Sequence, residues 1–244
     1  MLLIVGAVVV AFLAILSMTV FYKAPSCSDG AQNQGEAGVD CGGPCAYLCT
    51  EQQRPPTVLF TKAISSGTGR TDIIASIENV NATAAAKNVP YTVSLFGDHQ
   101  ALIQNVTGTI DLPPSATVPA FVLGISSGNQ KVVRAFLSID SSAVQWFTMT
   151  SDPRVKPVVS NTTLGGTADA PRIDAVLSNP SSTNMTNVQA VVLVHDAQGE
   201  VMSASQTIMP TIPAQGQATA TFTWNSAFSG VPAQIEVIPV IPLP

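Results

Sequence analysis

The chain has 244 residues, of which 46% are apolar and only 10% charged, with a formal net charge of −5. The supply of Val, Ile, Leu and Phe excludes a disordered chain. There is no run of Lys or Arg, which excludes the clustered basic surface that phosphate binding needs, so no nucleic-acid partner is expected. Eighteen prolines and seventeen glycines in a Val- and Thr-rich sequence predict many strands and turns and few helices.

Residues 2–22, LLIVGAVVVAFLAILSMTVFY, carry no charge. As a helix this run would be about 31 Å long at ~1.5 Å per residue, enough to cross a hydrocarbon core of roughly 30 Å. A cleaved signal peptide would need a basic leader and a small-x-small site. Only Met1 precedes the run, and Pro25 follows the candidate site at Ala24. Residues 1–23 are therefore expected to be a retained transmembrane helix, with the membrane as a partner. Charge bias, which offers Lys23 on one side and the amino group on the other, says little about orientation.

Residues 24–50 hold all the cysteines, Cys27, Cys41, Cys45 and Cys49, spaced C-x13-C-x3-C-x3-C. Zinc sites favour C-x2-C knuckles or nearby histidines, and His99 and His195 lie far away in sequence. An even number of cysteines in one short segment points to two disulfides formed in an oxidising compartment. Pairing Cys41 with Cys45, or Cys45 with Cys49, would close a very short loop. The interleaved pairing Cys27–Cys45 with Cys41–Cys49 avoids both and is the one favoured. Asp29, Asn33, Glu36 and Asp40 offer oxygen ligands among glycines, as calcium loops do, but without EF-hand spacing. The preferred reading is that these residues make turns, with calcium as the alternative and no other cofactor expected.

The pattern C-x-D-G-x-x-N-x-x-E-x-x-x-D-C-G-G-x-C, carried by Cys27, Asp29, Gly30, Asn33, Glu36, Asp40, Cys41, Gly42, Gly43 and Cys45, resembles a short cysteine-rich module of surface and secreted proteins. That module is common in candidate-phyla bacteria, often beside a membrane anchor. The resemblance implies an extracytoplasmic position and brings no activity with it.

After a linker at residues 51–56, EQQRPP, the chain repeats itself. TDIIASIEN at 71–79 matches PRIDAVLSN at 171–179, and KNVPYTVSLF at 87–96 matches TNVQAVVLVH at 186–195. IDLPPSATVPAFVL at 110–123 matches PTIPAQGQATATFT at 210–223. Short β-branched runs bounded by Asn, Gly or Pro read as strands. Two domains are expected, at 57–152 and 153–244, each with about seven strands, as in an immunoglobulin-like β-sandwich. The recurrent Asn, Asn-Val and Asp, at Asn79, Asn88, Val89, Val93 and Asp98 and again at Asn179, Asn187, Val188, Val192 and Asp196, resemble FxLyD-type and related immunoglobulin-like surface modules. Such modules are mainly structural or adhesive. The closing EVIPVIPLP reads as an edge strand and an extended tail lying back along its own domain.

No H-E-x-x-H, P-loop or G-x-S-x-G sequence occurs. His99 and His195 are lone turn residues without a partner to position them as bases, and no enzymatic activity is expected. The resulting picture is mainly β: an N-terminal transmembrane helix, a small disulfide-stapled segment and tandem immunoglobulin-like β-sandwich domains. The expected function is that of a single-pass, membrane-anchored extracytoplasmic protein with a structural, binding or adhesive role toward a surface protein or glycan. The alternative is a subunit of a larger cell-surface assembly such as a pilus or secretion complex.

Overall fold

A computed structural model describes residues 6, 10–17, 24–67, 69–128 and 130–244. The chain divides into two compact units, Met1–Cys49 and Thr50–Pro244.

Most of the expected anchor, 1–23, lies outside the described residues. Residues 10–17 form a short helix with exposed side chains. Among the described residues no helix is long and apolar enough to cross a membrane. This corrects the transmembrane reading, which rested on the uncharged run alone. The membrane as partner and the single-pass extracytoplasmic location fall with it. So do the adhesive role toward a surface protein or glycan and the alternative pilus or secretion subunit.

Unit Thr50–Pro244 is built of strands. The first half contributes β1 (Thr57–Gly67), β2 (Arg70–Asn79), β3 (Ala84–Phe96), β4 (Leu102–Leu112), β5 (Ala116–Ser126), β6 (Arg134–Ile139) and β7 (Trp146–Thr148). The second contributes β8 (Val158–Thr167), β9 (Ala170–Ser178), β10 (Met185–His195), β11 (Val201–Ile212), β12 (Gln217–Thr223) and β13 (Gln234–Val240). In the first half the sheets run β1-β2-β5 and β4-β3-β6, with β7 also pairing with β3. In the second they run β8-β9-β12 and β11-β10-β13. All pairings are antiparallel. The mainly-β expectation holds.

The tandem immunoglobulin-like β-sandwich domains do not. Among the described residues four open sheets of three or four strands result, and none closes into a sandwich or barrel. The physical reason is that the halves are not self-contained. β10 is buried on both faces: Val188, Ala190, Val192 and Val194 pack with Ile173, Ala175, Leu177 and Phe222 of the second half. Val191 and Leu193, pointing the other way by strand alternation, pack with Ile74 of β2 and with Phe60, Ile64 and Phe121. β2 is likewise covered on both sides, with Ile73, Ile74, Ala75 and Ile77 all fully buried. An apolar seam thus runs between the β1-β2-β5 and β11-β10-β13 sheets. Each fully buried Val, Leu or Ile contributes roughly 1.5–3 kcal/mol, so the seam is a stabilising interface and not a flexible joint.

The repeated sequence shows how one strand pattern yields two surfaces. Ile74 pairs across strands with Phe121. At the same register in the second half Asp174 pairs with Thr221, and the Thr221 hydroxyl donates to Asp174 Oδ1 at 2.6 Å. The apolar pair lies in the seam; the polar pair lies on an outer sheet. On the other sheet, Thr92 and Ser94 stand where the second half has Val191 and Leu193. Four alternating positions therefore decide which faces join.

The segment between the halves is also fixed. The Arg154 guanidinium, 8% exposed, pairs with Asp152 (Nε–Oδ1 2.7 Å), and Lys156 approaches the same carboxylate at 3.1 Å. Arg154 Nη1 also donates to the Ile241 carbonyl. The Arg154 hydrogen bond is the main cause holding the Asp152 carboxyl well below its ordinary value of 3.8, with Lys156 adding to it and burial opposing. A depressed carboxylate pKa stabilises the fold above its unfolded value, and that contribution is lost as pH falls. Asp152→Asn is therefore expected to flatten the loss of stability between about pH 4 and pH 2, read from urea midpoints across that range. Equal slopes for the two proteins would show that the ion pair contributes nothing.

Candidate functional site

In the cysteine-rich segment, disulfides join Cys27 to Cys45 and Cys41 to Cys49. The segment has little regular structure, and its turns are tied together by its acids. Asp40 Oδ1 accepts the Asp29 N–H at 3.0 Å, and Asp40 Oδ2 accepts that of Gly30 at 3.0 Å. Asp29 accepts from the Ala31 N–H (2.9 Å), the Ser26 N–H (3.1 Å) and the Asn33 side-chain amide (2.9 Å). Buried Glu36 accepts the N–H groups of Asn33 and Asp40 at 3.3 Å each. All four candidate calcium residues thus come together in one segment, where they act as acceptors and donors for its own backbone and for each other.

Cys27, Glu36 and Cys45 lie close enough to share a metal. Their sulfurs are joined to each other, however, so they offer no thiolate, the form that binds metal. The contact between Cys45 Sγ and Glu36 Oε1 at 3.2 Å is a sulfur–oxygen contact, since a disulfide sulfur carries no proton. Two glycines are required by close packing in this segment, one by a bridge and one by backbone. A Cβ on Gly38 would sit 2.9 Å from both Cys41 Sγ and Cys49 Sγ. One on Gly43, at φ +57°, would sit 2.2 Å from the Gly35 carbonyl oxygen.

The histidines are not a pair. His99 lies in a turn with φ 55°. His195 closes the β10–β11 hairpin, with Nδ1 3.0 Å from the Gly199 carbonyl and Nε2 3.7 Å from Glu236 Oε2. Trp146 is fully buried, and Trp224 stacks edge-on against Phe228 at 5.0 Å.

The strongest constellation in Thr50–Pro244 lies beside the seam. A cleft of about 520 Å³ is lined by Thr117 and Phe121 of β5, Gln189 of β10 and Ile238 of β13, together with Asn88 and Lys156. The residues that follow β13 run past it. The sequence predicted that this tail would lie along its own domain. Ile241 does pack against the second half's core, but the next residues cross to the first half. The Leu243 N–H donates to Asp111 Oδ2 at 2.7 Å, and Lys87 Nζ donates to the Pro244 carbonyl at 3.0 Å. Leu243 is 3% exposed. Asp111 is itself held in place because its Oδ1 accepts the N–H of Asn88 at 2.8 Å.

Sequence reasoning singled out Asn88 and missed Lys87, Asp111, Arg154 and Leu243. The available signal was scarcity: in a chain with so few charges, a Lys and an Asp that the second copy replaces with Thr186 and Thr211 mark a local task.

No family model and no curated protein matches the chain. Among solved structures, the crystal structure of red sea bream transglutaminase is similar to 76% of this chain at 10% identity and a TM-score of 0.25. The match spans 29% of that enzyme's length.

Proposed function

We propose that the chain is a non-enzymatic scaffold that holds β surfaces in a fixed geometry under oxidising conditions. The observation that carries this reading is the apolar seam of Ile74, Val191 and Leu193. It joins two repeated halves into one body, whereas flexible tandem modules keep their facing surfaces polar. The polar groups point the same way. The carboxylates of Asp140, Asp152 and Asp174 are all held below their ordinary values, with side-chain hydrogen bonds from Ser142, Arg154 and Thr221 as the largest causes. Those partners tie turns and strands together. Two disulfides in a segment too small to fill a core add that such a chain matures where thiols are oxidised. The resemblance of residues 27–45 to a cysteine-rich module of secreted proteins agrees with this.

The test is native-state hydrogen exchange on the oxidised protein. The central amides of β2 and β10 are expected to exchange only with global unfolding, giving one common opening free energy for both halves. If either half opens separately at lower cost, its partner staying protected, the two halves are jointed modules and the scaffold reading fails.

A further inference from the structure

We infer that the first half carries a binding site for an extended apolar peptide bearing a leucine between prolines. In cis it is filled by residues 242–244, and it can accept the same segment from a second copy of the chain. Proline has no N–H, so Leu243 presents the one backbone donor of the Pro242-Leu243-Pro244 segment. That donor is met by Asp111 Oδ2, and the following carbonyl is met by Lys87 Nζ. The leucine side chain is buried. Backbone is thus read by two charged groups and one side chain by burial, which is how a protein grips an extended peptide. The prolines restrict the free segment to extended conformations, so little ordering is lost on docking.

Three further observations make this a receptor and not a general property of the repeat. Lys87 and Asp111 are replaced by Thr186 and Thr211 at the matching positions of the second half. Asp111 is preset by the Asn88 N–H, donated from a residue at φ 53°. The hydrogen bonds of Leu243 and Pro244 go to the first half and not to the sheet that β13 belongs to. A segment presented from another chain would offer the same groups. The cis segment competes at the high effective concentration of a tethered ligand, so the site is open in trans only when its own segment is displaced.

The experiment uses full-length chains. Leu243→Asp places a carboxylate beside Asp111 and empties the site; Asp111→Ala removes the receptor and leaves the segment intact. A fluorescent VIPLP peptide, residues 240–244, is expected to bind L243D saturably, at least tenfold more tightly than the unaltered chain, and not to bind the D111A/L243D double variant. An equimolar mixture of L243D and D111A is expected to sediment as a one-to-one complex, while each alone sediments as a monomer. If L243D does not fold, Leu243→Ala serves in its place. A folded vacated variant that takes up no peptide overturns the site. Peptide binding without a mixed complex overturns the second copy as its occupant. Independently, the Leu243 amide is expected to exchange at least tenfold faster in Asp111→Asn than in the unaltered chain; an equal rate overturns Asp111 as the receptor group.

Discussion

Ile74→Asp is expected to cost about 3–5 kcal/mol of stability, because it removes a fully buried aliphatic side chain and strands an unpaired carboxylate in an apolar seam. The substitution copies what the second half already has, since Asp174 occupies the matching position on a face where Thr221 and Arg172 satisfy it. In the seam the neighbours are Val191, Leu193, Val201 and Ala204, which offer no donor side chain. The reciprocal change, Asp174→Ile, lies on an outer sheet and is expected to cost no more than about 1 kcal/mol. Each half carries one tryptophan, Trp146 and Trp224, so the halves can be followed separately in single-tryptophan backgrounds by urea-induced fluorescence change. The unaltered protein is expected to give coincident transitions, as a single cooperative body should. In I74D the two transitions are expected to separate. Coincident transitions at an unchanged midpoint would mean that the seam does not couple the halves.

A comparable loss follows from Asn179→Asp, a change that hardly alters shape. Asn179 is buried, and its amide donates to the carbonyls of Thr183 (2.8 Å), Pro213 (3.0 Å) and Ile212 (3.2 Å), while its oxygen accepts the Ser181 N–H at 2.9 Å. Asn79 does the same in the first half, donating to Ala84 and Pro113 at 2.8 Å each and to Leu112 at 3.4 Å, and accepting from Asn81. One side chain at the end of a strand thus satisfies the carbonyls of two separate turns. An ionised carboxylate cannot donate and would face those carbonyl oxygens directly. Leaving such groups unsatisfied costs about 1–3 kcal/mol each, so a loss of roughly 3–4 kcal/mol is expected in urea denaturation at neutral pH. Asn179→Ala, which leaves the carbonyls unpaired without the repulsion, is expected to cost less than the aspartate. A loss below about 1 kcal/mol for both variants would mean that water replaces the amide at no cost.

Both residues are recurring asparagines in the sequence, which by itself gives no reason for them. The reason is geometric: a buried corner needs a short side chain with two donors and an acceptor. Asn88 and Asn187 recur for a different cause. Each takes φ 53°, a left-handed conformation that asparagine tolerates better than most residues, and Asn88 does so where the ladder from β3 to β4 shifts register. The candidate calcium residues were legible as turn makers for a similar reason, since Asp and Asn bond to nearby backbone. The Lys87–Asp111–Leu243 cluster was not legible, because Leu243 lies 132 residues from Asp111 and Pro244 lies 157 residues from Lys87, and only the packing of one half on the other brings them together.

Local chemistry by itself determined that this chain is built of strands, that they come in a repeated order, and that a short cysteine-dense segment is stapled. Alternation of apolar residues, turn residues and cysteine spacing are short-range signals, and each acts within a few residues of itself. What the sequence alone left open was which faces are outer and which are joined. Ile74, Val191 and Leu193 read as ordinary strand residues until their partners are known. Burial between sheets depends on residues more than 100 positions away, and so does the absence of closure into separate sandwiches. The uncharged N-terminal run shows the opposite error: mean hydropathy along a segment is a local quantity, and it overstated what the helix among the described residues can span.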